Sequence, residues 1–203
     1  MNLLHIDSSI LGPGSVSRKL SADAVAAIVA AQPDTRVVYR DLAAAPITHL
    51  TGAYLNAAQA PGGDHEPAVA NDLAEGSAAL REFLAADTVV IGVGVYNFSV
   101  PSQLKAWIDR ILVAGQTFRY GADGRPEGLA GAKRVVLAVA RGGFYGPGSP
   151  QASFEHAETY LRTVFGFIGV VPEVVVAEGL AVGPEHRDAG IAAARQAIAA
   201  LAA

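Results

Sequence analysis

Three short segments carry side chains whose types and spacing could do chemistry. The first runs Ser8-Ser9-Ile10-Leu11-Gly12-Pro13-Gly14-Ser15-Val16-Ser17-Arg18 and is rich in hydroxyls and glycine. Where such a loop opens a helix, free backbone N–H groups and the helix dipole favour an anion. Ser9, Ser15 and Ser17 could converge on one phosphate, with Gly12 and Gly14 letting the backbone turn closely. The same residues also read as a plain helix start, Ser15 or Ser17 being the cap. The second segment is Tyr96-Asn97-Phe98. Two aromatics flanking an amide offer a planar ligand apolar contact and in-plane hydrogen bonds together, or they anchor a turn whose chemistry Asn97 supplies. The third is Ala140-Arg141-Gly142-Gly143, the start of a Gly-rich stretch that reads either as a binding loop or as a mobile turn.

What the chain lacks narrows the chemistry. It has no Cys, which removes thiolate nucleophiles, disulfides, zinc-thiolate sites and iron-sulfur clusters. His5, His49, His65, His156 and His186 show no paired spacing, so no metal site is expected. A nucleotide-kinase Gly-Lys-Ser/Thr loop and a G-x-S-x-G elbow are both missing. A net charge of −4 with dispersed basic residues gives no footprint for nucleic acid or an anionic membrane. No apolar run approaches the roughly 18 residues that span a bilayer. The opening residues lead straight into a strand without a basic, apolar leader, so a cytoplasmic protein acting on small molecules is expected.

The elements that must position these segments follow from periodicity. Residues 88–95 form a short apolar, β-branched run without alternation, the pattern of a central strand covered on both faces. Pro101 can open the helix that follows, whose Leu104, Trp107, Ile108 and Ile111 share one face. Further strands are expected at 3–7, 36–40, 133–140 and 170–176, Pro172 placing the last at an edge or marking a strand start. Helices are expected from the serine loop to Gln32, and over 68–86, 154–167 and 184–203, with 52–67 a loop whose tip is Pro61-Gly-Gly-Asp64. Residues 115–128 are too Gly-rich for a helix and read as an excursion carrying Phe118 and Tyr120.

Five strands alternating with five helices, without a repeat or linker, give one domain over residues 1–203. At this length folding hides roughly 70% of the unfolded surface. The economical arrangement is a doubly wound parallel sheet ordered 2-1-3-4-5 with helices on both faces. All three chemical segments then fall beyond the carboxyl ends of strands, where open parallel sheets bind ligands. A dinucleotide fold is the rival, with Asp41 near the position of a ribose-binding acid. Against it, Ser8 to Leu11 separate the first glycine from the strand, and Ser17 stands where a third glycine would.

With these pieces in place the chain resembles the FMN-dependent NADH:quinone oxidoreductases, the bacterial azoreductases of the flavodoxin-like superfamily. The resemblance spans essentially the whole length. It rests on Ser9 with Ser15-Val16-Ser17, on Tyr96-Asn97-Phe98 followed by Gln103-Leu-Lys, and on Thr117-Phe-Arg-Tyr120. It extends to Arg141-Gly-Gly143, Gly166-Phe-Ile-Gly169 and Ala177-Glu-Gly179. It implies a flavodoxin-like three-layer sandwich binding FMN, with Ser9, Ser15, Val16 and Ser17 around the phosphate. Val95, Tyr96, Asn97 and Phe98 would lie against the isoalloxazine, and Ala140, Arg141, Gly142 and Gly143 at its pyrimidine side. NADH, or NADPH, would donate electrons to quinones and azo compounds through the flavin, without a protein nucleophile. Donors in residues 141–143, with Arg141 as a candidate charge stabiliser, would face the reduced ring. The resemblance further implies a homodimer in which Phe118 and Tyr120, with Phe98, form the acceptor pocket. Two departures are visible: Gly94-Val95 replace the family's usual Pro-Met, and Ala140 its usual Ser. A flavodoxin-like electron carrier is the alternative function, weakened by the modest acidity.

Overall fold

The computed structural model describes residues 1–60 and 62–201. Pro61, at the expected loop tip, and Ala202 and Ala203, at the expected end of the last helix, lie outside them. The elements are β1 (Asn2–Asp7), α1 (Val16–Ala31), β2 (Arg36–Asp41), α2 (Gly52–Ala58), α3 (Pro67–Ala85), β3 (Thr88–Gly94) and α4 (Ser102–Ile111). They continue as β4 (Phe118–Tyr120), β5 (Pro126–Gly128), β6 (Arg134–Ala140), α5 (Ala157–Phe167), β7 (Glu173–Ala177) and α6 (Pro184–Leu201).

Five strands form one parallel sheet in the order β2-β1-β3-β6-β7. Setting aside the β4–β5 hairpin, this is the 2-1-3-4-5 order that the sequence pattern predicts. Successive side chains of a strand point to opposite faces, and both faces here are apolar. Val89, Ile91 and Val93 of β3 join Phe83 of α3, Leu104, Trp107 and Ile108 of α4, and Leu161 and Phe165 of α5 in one core. Val90 of β3 and Val136 and Ala138 of β6 meet Leu20, Ala24 and Ile28 of α1 and Ala194 and Ile198 of α6 in the other. The unbroken apolar runs of β3 and β6 are thus the mark of burial on two sides. Trp107 is fully buried and meets Phe83 edge-on at 5.9 Å.

Several boundaries differ from the sequence expectation, each for a local reason. Residues 52–58, expected as loop, form α2 because the Thr51 hydroxyl accepts the Tyr54 N–H at 3.1 Å and caps the turn despite Gly52. The excursion is an antiparallel hairpin pairing Phe118 with Gly128 and Tyr120 with Pro126. The helix expected from Phe154 begins at Ala157, because the Glu155 carboxylate takes the N–H groups of Ala157, Glu158 and Thr159. The edge strand β7 starts after Pro172, whose missing N–H cannot join the ladder.

The hairpin is fastened at its base to the turn after α5. The Ala130 N–H donates to the Ile168 carbonyl at 2.9 Å. A Cβ on Gly128 would lie 2.1 Å from the Gly169 backbone nitrogen, so two bare backbones touch there. Gly169 itself has φ +90°.

Candidate functional site

The serine loop leaves the end of β1 and is stitched to the neighbouring strand at once. The Ser8 hydroxyl and N–H both donate to the Gly92 carbonyl, at 2.7 and 3.3 Å. The Ser9 hydroxyl meets the Tyr96 hydroxyl at 2.9 Å, joining the first chemical segment to the second. Ser15, in extended conformation, is the N-cap of α1, and its Oγ accepts the Arg18 N–H at 3.3 Å. Ser17 lies inside the helix; its buried hydroxyl contacts the Ser15 Oγ at 3.0 Å. Capping therefore belongs to Ser15. Among the described residues no acceptor takes the N–H of Val16 or Ser17, two of the orphan donors a helix start presents.

Arg18 braces the loop from behind. Its guanidinium grips Asp41 through two bonds of 2.6 and 2.7 Å and the Ser9 carbonyl through two more, at 2.8 and 3.1 Å. The hydrogen bond from Arg18 holds the Asp41 carboxyl down at about 2, against 3.8 ordinarily. Asp41 Oδ1 also takes the Ala43 and Ala44 N–H groups. Both oxygens are committed to protein donors, the opposite of a carboxylate free to bind ribose. Below the loop, Asp7 accepts from the Ser21 and Tyr39 hydroxyls at 2.8 and 3.1 Å, and Ser21 contacts His5 at 3.0 Å. Burial first, then the Asp7 charge, pushes the Tyr39 phenol up to about 12. Burial likewise lowers the His5 imidazole, against the pull of Asp7.

At the end of β3 the Val95 N–H bonds the Ala140 carbonyl at 3.0 Å, tying the second segment to the third. Tyr96 and Ser99 exchange two backbone bonds of 3.1 Å, which closes a turn with Asn97 at φ 47° and Phe98 at φ 70°. Asn accepts the left-handed region readily; for Phe it is strained, and such strain gathers at functional sites. The turn holds the Phe98 ring half-exposed, 5.4 Å from Phe154 and 6.2 Å edge-on from Tyr145.

The third segment is fixed by its carbonyls. Those of Arg141, Gly142 and Gly143 accept the N–H groups of Leu180, Ala181 and Gly179 at 3.2, 2.9 and 3.0 Å. Among the described residues nothing accepts the N–H of Gly142 or Gly143, which leaves two preorganised donors side by side. The Arg141 side chain is buried and pairs with Glu158, with Glu155 at 3.4 Å and with Glu178 at 3.6 Å. Burial alone would raise the Glu155 carboxyl. The N–H donors of Glu158 and Thr159, the Thr159 hydroxyl and Arg141 reverse this and bring it below the usual range.

Ser9, Ser15, Val16, Ser17, Val95, Tyr96, Ala140, Arg141 and Gly142 line one cleft of about 240 Å³. Asn97, Phe98 and Gly143 belong to the same turns but stand outside its lining. Phe118 and Tyr120 do not line it either. Phe118 packs 4.7 Å from Phe167, and Tyr120 stands 63% exposed on the hairpin. The cleft also includes Leu180, Ala181 and Arg187, from the loop after β7 and the start of α6, which the sequence reading missed. Their signal was topological, since that loop too leaves the carboxyl end of a strand. A larger hollow of about 570 Å³ lies on the other side of the serine loop, walled by Arg18, Lys19 and Asp41. There the Arg18 guanidinium and Asp41 carboxylate already satisfy each other, whereas the unaccepted N–H groups of Val16, Ser17 and Gly142 belong to residues of the smaller cleft.

A doubly wound sheet with a hydroxyl-rich loop at a helix start, a ring-bearing turn and paired free N–H groups at adjacent strand ends is the architecture of a flavodoxin-like protein. The family described by its flavodoxin-like fold matches residues 1–202, and the chain belongs to it. It is similar, at 64% identity over 99% of both chains, to an FMN-dependent NADH:quinone oxidoreductase of Xanthomonas campestris pv. campestris. The crystal structure of an azoreductase from Bacillus anthracis is similar at 32% identity, with a TM-score of 0.90 over 100% of this chain and 98% of that one. An FMN-dependent NADH-azoreductase from the same species, in complex with FMN, shares 25% identity with a TM-score of 0.86 over 100% and 99%.

Proposed function

We propose that this chain is an FMN-dependent NADH:quinone oxidoreductase that also reduces aromatic azo compounds. One observation carries the reading. Three loops bring hydroxyls, unaccepted N–H groups and the Tyr96 ring into a single cleft, with Phe98 on the same turn beside it, in a chain 64% identical along its length to a relative bearing that name. The donor set fits FMN. The N–H groups of Val16 and Ser17 with the hydroxyls of Ser9, Ser15 and Ser17 suit a phosphate, and Val95, Tyr96, Asn97 and Phe98 suit a flat ring. Gly142 and Gly143 offer N–H donors to the ring's polar edge, with Ala140 contributing backbone alone.

Bound FMN supplies the two-electron chemistry linking NADH, or NADPH, to the acceptor. The chain's own residues bind, orient and polarise. The Gly142 and Gly143 N–H groups are aimed in advance, because every carbonyl of residues 141–143 is held by residues 179–181. Arg141 reads differently with its surroundings known: its charge is answered by three carboxylates. Its role is to anchor the Gly142-Gly143 turn to α5 and to the loop after β7, so any effect on flavin charge is indirect.

The half-exposed Phe98, with Tyr145 and Phe154, offers an apolar platform for flat acceptors such as quinones and azo dyes. In the homodimer that this reading includes, Tyr120, exposed on the hairpin, is the ring free to reach the cleft of a second copy, while Phe118 packs on Phe167 at its root. The whole chain acts as one domain in the cytoplasm. Anaerobic titration with NADH and then benzoquinone tests the activity: NADH bleaches the flavin band and quinone restores it. A band that NADH leaves intact would make the protein an electron carrier instead.

A further inference from the structure

Of the two cations that line the cleft among the described residues, Arg141 and Arg187, Arg141 alone makes an ion pair. Arg18 is held by Asp41, and Arg141 by Glu155, Glu158 and Glu178. Arg187 sits one turn into α6 and lines the cleft together with Leu11, Gly14, Ser15, Val16 and Ser17. Its backbone N–H donates to the Gly183 carbonyl at 2.9 Å, which fixes its position on the helix. Among the described residues its guanidinium makes no ion pair or hydrogen bond, although Glu185 and Asp188 are close in sequence.

A guanidinium left unanswered beside a cradle of neutral donors is placed for a dianion. The serine loop offers N–H and O–H groups but no net charge, so a phosphate resting there would keep most of its own. Two phosphate groups are candidates once the proposed activity is accepted: the monoester of FMN and the diphosphate of NADH. Arg187 shares its walls with the N-terminus of α1, where the hydroxyls and free N–H groups converge. We infer that Arg187 is a phosphate-binding residue of the FMN site, supplying from α6 the charge that the serine loop lacks. Its planar fork suits two phosphate oxygens at once. The inference rests on the FMN reading and adds to it a residue from the opposite wall of the cleft.

The test compares FMN with riboflavin, which has the same ring and no phosphate. Binding to apoprotein is followed by quenching of flavin fluorescence for the parent, Arg187→Gln and Arg187→Lys. The expected result is an FMN dissociation constant raised about 5- to 20-fold by Arg187→Gln, the scale of one charge-assisted bond at a partly exposed site. Arg187→Lys should restore part of the loss, and riboflavin should bind all three proteins alike. Equal FMN affinity in parent and Arg187→Gln overturns the inference while leaving the FMN reading intact, and so does a matching loss for riboflavin. Unchanged FMN affinity with a raised KM for NADH would move Arg187 to the diphosphate. A parent that binds neither flavin overturns both readings.

Discussion

Replacing Ser17 with alanine separates ligand binding from helix capping, because the structure gives the cap to Ser15. The Ser17 side chain is buried, and among the described residues its hydrogen-bond partner is the Ser15 hydroxyl at 3.0 Å. In the apoprotein the substitution removes one neutral hydrogen bond, worth about 1 kcal/mol net. For a domain of this size that lowers the melting temperature by about 2–4 °C. Against a phosphate the same hydroxyl donates to a charged acceptor, worth about 1.5–3 kcal/mol, or roughly ten- to a hundredfold in the FMN dissociation constant. Ser15→Ala should behave differently, losing the cap to the Arg18 N–H and so about 1 kcal/mol of apoprotein stability in addition. Fluorescence titration with FMN and thermal melting of the apoprotein read the two quantities separately. Unchanged FMN affinity in Ser17→Ala, accompanied by a melt several degrees lower, would return the residue to a structural role and refute the phosphate assignment.

Arg141→Ala leaves three carboxylates facing one another around a buried hole, so urea unfolding should show a loss of about 3 kcal/mol; an unchanged midpoint would remove its anchoring role. Asp41 titrates at about 2 in the fold against 3.8 ordinarily, so its charged form favours the native state. That contribution is complete above about pH 4, fades as the pH falls from 3.8 towards 2, and amounts to about 1 kcal/mol after solvent screening. Asp41→Asn should therefore flatten acid unfolding in that window, and parallel curves for parent and variant would contradict it. Phe98→Gly relieves a left-handed side-chain residue by about 1 kcal/mol while deleting the ring beside Tyr145 and Phe154. Stability should hold within about 1 kcal/mol as KM for a small quinone rises several-fold; a quinone KM equal to the parent's would detach the turn from acceptor binding.

The sheet was legible because β3 and β6 are buried on both faces and their sequences say so without interruption. The hairpin was not, since strands of three residues are too short for a period to emerge. Helix α2 hid behind Gly52, where one threonine hydroxyl outweighs the glycine. Of the site, the segments that gather hydroxyls, aromatics or glycines at strand ends could be read directly. Partners could not: Arg141 meets carboxylates 14, 17 and 37 residues further along the chain, encounters that only the α5 and β7 packing creates. Arg187 escaped notice for the same reason, being one more charged residue in the first turns of an exposed helix until the fold sets it opposite the serine loop.

The touching backbones at Gly128 and Gly169 limit how this protein can vary. A methyl group on Gly128 would overlap the Gly169 nitrogen, and one on Gly169 would need a left-handed conformation while just touching Gly128 at 3.4 Å. Gly128 cannot gain a side chain without moving the backbone, Gly169 gains one only with conformational strain, and a change in both at once would push the hairpin away from the end of α5. The ornament that carries Phe118 and Tyr120 is thus free to change at its tip, where Asp123 and Arg125 are exposed. At its root it is held to a single pair of residues, so under the proposed acceptor pocket new preferences would arise through the tip and through Phe98, while the root stays fixed.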